Sequence, residues 1–299
     1  MKNFTARGTF TALVTPFKND GSVDFKTLQK LIDFQIKNKV EGIVVCGSTG
    51  EGATLTLKEK MAIFKEAVVY AKGRVPIIAA TGTYETEESL NLTIYAREHG
   101  ASAALIVVPY YIKPTQFALF EHFRVIAASV SDLPIILYNI PGRTGVNMLA
   151  ETQLAVANAC PNVVATKEAS GNLVQMMDII KNSPKHFSLL SGDDSLTLPV
   201  IAAGGKGIVS VISNYAPKKF GDMVRNALDG KFAEAKKVHY DLFEMMEMNF
   251  IEPNPAPVKC AMSLLKMIKS QIRMPLLPVS GENKKKIQAA LVKTGLMKK

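Results

Sequence analysis

A (β/α)8 barrel with a C-terminal helical appendage is the fold class that this sequence predicts. Up to residue 229, eight short strand-like runs alternate with eight helix-length segments, the count of a TIM barrel. Several runs, such as Ile135-Ile136-Leu137, are continuously apolar, which fits a parallel sheet buried on both faces. The first turn, Pro16-Phe17-Lys18-Asn19-Asp20-Gly21, has no GxGxxG, which argues against a doubly wound sheet.

The strand-like runs are 9–15, 42–46, 76–81, 104–109, 134–139, 163–167, 187–191 and 207–213. Helical segments fall at 24–39, 57–72, 86–99, 115–130, 148–159, 172–182, 195–203 and 217–229. Asp24 opens the first helix, and Thr86, followed by Glu87 and Glu88, opens the third. Gly73, Gly100 and Gly204-Gly205 stop the helices before them, and Pro76 and Pro134 start the next strands. After Gly230 the strand signal ends. Helices are expected near 231–249, 256–269 and 281–296, punctuated by Pro253, Pro255, Pro257, Pro275 and Pro278. Residues 1–230 are therefore read as the barrel carrying the active site and 231–299 as a helical domain packed on it.

The chain of 299 residues is 47% hydrophobic and 21% charged, enough to bury a large core, which excludes a disordered protein. Its longest apolar run, Ala103 to Ile112, is too short to span a bilayer and contains Pro109. The first seven residues have no apolar signal core. Cys46, Cys160 and Cys260 are scattered, which points to a reducing compartment, so a cytoplasmic location is expected with no membrane partner. His99, His122, His186 and His239 show no ligand spacing, so neither a metal nor another cofactor is expected. Half of the net charge of +10 lies in residues 281–299, with six lysines against Glu282. That reads as a solvated helix face rather than a nucleic-acid surface, with a field that favours anionic metabolites.

A barrel of this class carries its chemistry at the C-terminal ends of its strands. Lys167 directly follows Val163-Val164-Ala165-Thr166, so its backbone belongs to the buried barrel. An amine there suits imine formation with a carbonyl, because an apolar wall disfavours its charge. A buried ion pair with Glu168 or Asp193 is the structural alternative. The 47–52 loop holds three glycines around Ser48 and Thr49, and its N–H groups can cradle an anion. Tyr138 and Tyr111 are either proton relays or packed aromatics, and Arg143 either clamps a carboxylate or is a surface arginine. Asp193-Asp194 reads as a helix N-cap, and Gly204-Gly205-Lys206-Gly207 as a helix stop at the opposite rim.

Six segments carry a resemblance. They are Gly47-Ser48-Thr49-Gly50-Glu51, Pro109-Tyr110-Tyr111, the run from Tyr138 to Gly145, the run from Lys167 to Asn172, Ser191-Gly192-Asp193-Asp194 and the run from Glu252 to Lys259. In order and spacing they resemble the dihydrodipicolinate synthases, among the pyruvate-dependent class I aldolases and lyases that include N-acetylneuraminate lyase. The resemblance implies that Lys167 forms an imine with pyruvate and that the enamine attacks L-aspartate 4-semialdehyde. The product implied is 4-hydroxy-tetrahydrodipicolinate, on the route to diaminopimelate and lysine. Tyr138, Thr49 and, from a neighbouring subunit, Tyr111 are implied as proton relay. Ser48 and Thr49 are implied to hold the pyruvate carboxylate, Arg143 the semialdehyde carboxylate, and Gly192 and Val209 to line the pyruvate pocket. A homo-oligomer, dimer or tetramer, is implied as well. Ser48 departs from the Thr-Thr form common in the synthases, and Ser-Thr also occurs in the lyases. The alternative is an aldolase or lyase of 2-keto-3-deoxy sugar acids or N-acetylneuraminate, against which Arg143 and the Glu-Pro-Asn-Pro stretch speak.

Overall fold

A computed structural model describes residues 4–298. Residues 1–3 of the segment read for a signal core, and Lys299 of the basic tail, lie outside them. Eight parallel strands close into a barrel in sequence order. They are β1 Gly8–Ala12, β2 Gly42–Val45, β3 Ile77–Ala80, β4 Ala103–Val107, β5 Ile135–Asn139, β6 Val163–Glu168, β7 Ser188–Ser191 and β8 Gly207–Ser210. Closure runs through β1 and β8, where Phe10 faces Val209 and Gly8 faces Gly207. A Cβ at Gly207, whose φ is +145°, would sit 2.0 Å from the carbonyl oxygen of Gly8, so only glycine fits that seam.

Alternation along each strand sorts side chains into two layers. Phe10, Val44, Ile78, Leu105, Ile136, Ala165, Leu190 and Val209 fill the barrel interior. The opposite faces pack against a surrounding layer of helices. These are α1 Phe25–Lys37, α2 Leu57–Ala71, α3 Thr86–Glu98, α4 Gln116–Ser129, α5 Pro141–Thr144, α6 Ala150–Ala159, α7 Leu173–Asn182, α8 Thr197–Ala202 and α9 Pro217–Leu228. Three more follow the barrel: α10 Phe232–Met248, α11 Ala256–Leu264 and α12 Gly281–Lys293. The first of them, α10, packs on α9, and α12 bridges α10 and α11. Among the described residues no helix is long and apolar enough to cross a membrane.

The sequence elements are present, with local differences that have physical causes. Strand β1 ends at Ala12 and β8 at Ser210, short of their expected ends. Residues Ile212–Asn214 form a 3-10 turn instead, and the Asn214 amide bonds the Val14 N–H and the Ala12 carbonyl. Asp24 caps α1 through the Thr27 N–H. At α3 the capping side chain is Glu85, not Thr86, which is the first helical residue and pairs its hydroxyl with His122. Helix α11 stops at Leu264, five residues early, and Lys266 just beyond it is left-handed. The one-turn helix α5 was expected only as a turn.

The Asp193-Asp194 expectation fails. Helix α8 begins at Thr197, and its capping position, Leu196, makes no side-chain bond. Asp193 accepts from the Ser195 N–H and hydroxyl at 2.9 Å. Asp194 reaches across to the segment just after β8 and accepts from the N–H groups of Val211 and Ile212. Burial dominates at Asp194 and pushes its carboxyl up to about 6. The Gly204–Gly207 stop behaves as expected: Gly204 has φ +110°, and the turn leads into the start of β8, opposite the rim that carries Lys167.

Candidate active site

Lys167 is the fifth residue of β6, two places after Ala165, so it shares the inner face of the barrel. It stands beside Tyr138 in the β5–β6 register and is 5% exposed. Its Nζ lies 4.0 Å from the centroid of the Tyr138 ring. Among the described residues it has no ion pair. The two acids considered as partners are committed elsewhere. Glu168 points outward between barrel and helices, where it accepts from Asn139, Gln153, Gln175 and the Ser170 N–H. Asp193 is held by Ser195. An amine in this position has an aromatic face and apolar walls around it and no carboxylate to hold it.

The loop after β2 turns sharply. Cys46 and Glu51 both adopt left-handed backbone, with φ of 59° and 56°. The Glu51 N–H bonds the Ser48 carbonyl and the Gly52 N–H bonds the Gly47 carbonyl. Ser48 and Thr49, in between, donate their N–H groups to no acceptor among the described residues. Two neighbouring free donors on a tight turn are what a carboxylate needs. The adjacent thiol of Cys46 is buried and held far above its ordinary range by that burial, so it is inert.

A pocket of about 270 Å³ opens over this rim, lined among others by Ser48, Tyr138, Arg143, Thr144, Asn254 and Leu276. The last two come from the segment after α10, so the appendage forms part of the wall. Lys167, Thr49, Gly192 and Val209 do not line this space. Lys167 sits behind the Tyr138 ring, Thr49 is 3% exposed and Val209 is in the barrel interior. Gly192 lies at the end of β7, its N–H donating to the Glu168 carbonyl at 2.7 Å. A Cβ there would come within 2.5 Å of that of Ala169. Arg143, on α5, donates from Nη2 to the main-chain carbonyl of Asn254 at 3.0 Å. Tyr111 is not brought to the others within one chain. It is 88% exposed, with φ +74°, and its N–H bonds the Thr144 carbonyl.

A second cluster braces the loop from behind. Glu51 forms an ion pair with Lys259 of α11, and both side chains are 2% exposed or less. Lys259 also donates to the Gln271 carbonyl at 3.0 Å and lies 4.2 Å from the centroid of the Phe17 ring. Burial pulls its amine below the ordinary lysine range, and Glu51 opposes that. The Arg273 N–H donates to Glu51, and its guanidinium lies over Phe17 and reaches Glu59 at 2.5 Å. Glu51, Lys259, Arg273 and Asn254 were not picked out as functional residues from sequence. They lie in different parts of the chain: Glu51 closes the Gly47–Glu51 segment, Asn254 and Lys259 fall in the run from Glu252 to Lys259, and Arg273 lies in none of the six segments. Among the described residues no group of His, Cys, Asp or Glu is placed to hold a metal ion.

The Glu59–Arg273 pair makes stability pH-dependent. Hydrogen bonding to Arg273 outweighs desolvation and lowers the Glu59 carboxyl from 4.5 to about 2. A carboxyl lowered by folding stabilises the fold above its unfolded value and loses that contribution as pH falls through its folded value. The stabilisation, shared between Arg273 and the Thr56 N–H and hydroxyl, is present above pH ~5 and fades toward pH ~2. Urea unfolding of the wild type and Glu59→Gln across this range should show the two curves converging in acid.

The model of the dihydrodipicolinate synthetase family matches residues 5–294. The chain belongs to this family. A 4-hydroxy-tetrahydrodipicolinate synthase from Aquifex aeolicus is 46% identical over 290 residues, covering 97% of this chain and 98% of that protein. The crystal structure of dihydrodipicolinate synthase from Aquifex aeolicus aligns with a TM-score of 0.95 at 45% identity, over 98% of this chain and 100% of that one. Another structure, described as the first monomeric dihydrodipicolinate synthase variant, aligns at TM-score 0.94 and 37% identity over 97% of each chain. Family membership and the closed barrel agree with the fold expected from the alternating runs.

Proposed function

We propose that this enzyme condenses pyruvate with L-aspartate 4-semialdehyde through an imine on Lys167, giving 4-hydroxy-tetrahydrodipicolinate for diaminopimelate and lysine synthesis. The observation that carries the reading is Lys167 itself: buried on the inner face against Tyr138, with no carboxylate partner among the described residues. The amine nitrogen attacks the pyruvate ketone carbon and water leaves. The iminium draws electrons from the methyl C–H bond, a base takes the proton, and an enamine results. The enamine carbon bonds the aldehyde carbon, whose oxygen takes up a proton. The amine of the semialdehyde then attacks the imine carbon, releases Lys167 and closes the ring.

In this reading the free N–H groups of Ser48 and Thr49 hold the pyruvate carboxylate. Val209 and Gly192 shape the space around pyruvate. Thr49, Tyr138 and Tyr111 carry protons, and the exposure of Tyr111 suits delivery into a neighbouring subunit. Ile112 and Phe117, exposed near it, suit a face covered in a dimer or a tetramer of dimers. The barrel of residues 1–230 supplies the chemistry, and the helical domain of 231–299 supplies part of the pocket wall. Three buried free cysteines suit a cytoplasmic setting. Turnover of pyruvate with the semialdehyde, set against cleavage of N-acetylneuraminate and 2-keto-3-deoxy sugar acids, tests the substrate assignment.

Arg143 gives the sharpest test of the second substrate. It lines the pocket, and its guanidinium is tethered by the Asn254 carbonyl. Arg143→Ala should still form the pyruvate imine but lose a charge-assisted bidentate contact, about 30- to 1000-fold in kcat/KM for the semialdehyde. Unchanged semialdehyde kinetics would show that Arg143 is not the clamp.

A further inference from the structure

Asn254 lies in the loop between α10 and α11, 4% exposed, and lines the pocket. It holds two site residues by two different groups. Its side-chain Nδ2 donates to the Thr49 hydroxyl at 3.0 Å. Its main-chain carbonyl accepts from Arg143 at 3.0 Å. Its Oδ1 is buried with no hydrogen-bond partner among the described residues. An amide nitrogen can only donate, so the Thr49 oxygen accepts on that side and keeps its own proton for another acceptor. With the amide reversed, Oδ1 would take the hydroxyl proton and the relay would lose it.

We propose that Asn254 is a positioning residue that sets the direction of the Thr49 hydrogen bond and keeps the Thr49 proton available to the reacting atoms. This rests on the reading of Lys167 as imine former and Thr49 as relay. The two contacts are separable. Removing the side chain frees Thr49 but leaves the carbonyl that tethers Arg143. The proposal therefore expects a loss of proton transfer without a loss of semialdehyde binding.

The test uses the full-length enzyme and pyruvate alone, following exchange of the pyruvate methyl protons in D2O, with borohydride trapping as a separate measure of imine formation. Asn254→Ala removes the donor, and the isosteric Asn254→Asp replaces it with a group that only accepts, so a fold defect in one variant leaves the other informative. In both, exchange should slow about 10- to 100-fold, between the loss of one neutral hydrogen bond and of a whole acid–base group. Imine trapping should persist, and the semialdehyde KM should move less than about threefold. Asn254→Ala should add nothing in a Thr49→Val background, because the residue acts through Thr49. Wild-type exchange rates in both variants, or losses that multiply in the double variant, would overturn the proposal. A wild type that traps no imine would sink the imine reading and this proposal with it, whereas one that traps the imine without exchanging methyl protons would overturn the proposal alone. Exchange without semialdehyde consumption would remove only the assignment of the second substrate.

Discussion

Lys167→Ala should lose turnover by at least about 10³-fold, because a neighbouring side chain does not replace a covalent nucleophile. The one lysine among the described residues that line the pocket, Lys60 of α2, is carried on the helical layer rather than on the barrel interior. The substitution also removes the Nζ contact with the Tyr138 ring, but both residues stay within a barrel whose interior is filled by Ile136, Ala165 and Leu190. The variant should therefore fold, and circular dichroism with a thermal melt checks that. Steady-state rates with pyruvate and the semialdehyde measure the loss. Residual activity within tenfold of wild type would place the chemistry elsewhere.

Glu51→Ala should destabilise the fold by about 3–5 kcal/mol, the usual cost of leaving one member of a buried ion pair alone. Lys259 would keep the Gln271 carbonyl and the Phe17 ring but lose the Glu51 carboxylate. The Arg273 N–H would lose its acceptor as well. Glu51 also sits in left-handed backbone at the end of the loop that carries Ser48 and Thr49, so activity should fall with stability. Lys259→Met alone should be similarly harmful, because it strands Glu51. The double variant Glu51→Gln/Lys259→Met should recover much of the loss, since neither charge is then left unpaired. Urea unfolding of the three variants measures this cycle. Single variants within about 1 kcal/mol of wild type would show that the pair contributes little.

The barrel was legible because its strands are buried on both faces. Continuous runs such as Ile135-Ile136-Leu137, each followed by a helical stretch and a glycine or proline stop, admit few other folds. Residue order also placed Lys167, Tyr138 and the Ser48-Thr49 turn on one rim, because strand ends follow directly from strand positions. The pairing across space was not legible. Asp194 looked like a helix cap because it precedes a helix, yet its carboxylate binds the backbone just after β8. Glu168 looked like a partner for Lys167 because it is adjacent in sequence. Strand alternation sends the two to opposite faces, which a fixed strand boundary would have shown. Lys259, Arg273 and Asn254 meet the loop after β2 from more than 200 positions away. Nothing in local composition marks such contacts, and the Glu252 to Lys259 run stood out only through family resemblance.

The claim on which the rest depends is that Lys167 carries the pyruvate-derived carbon. Incubating the enzyme with pyruvate, reducing with borohydride and mapping peptides by mass spectrometry tests it in one measurement. One pyruvate-derived increment per chain, located on Lys167 and absent without pyruvate, is the predicted result. An increment on Lys60, Lys259 or any other lysine, or no increment at all, would contradict it.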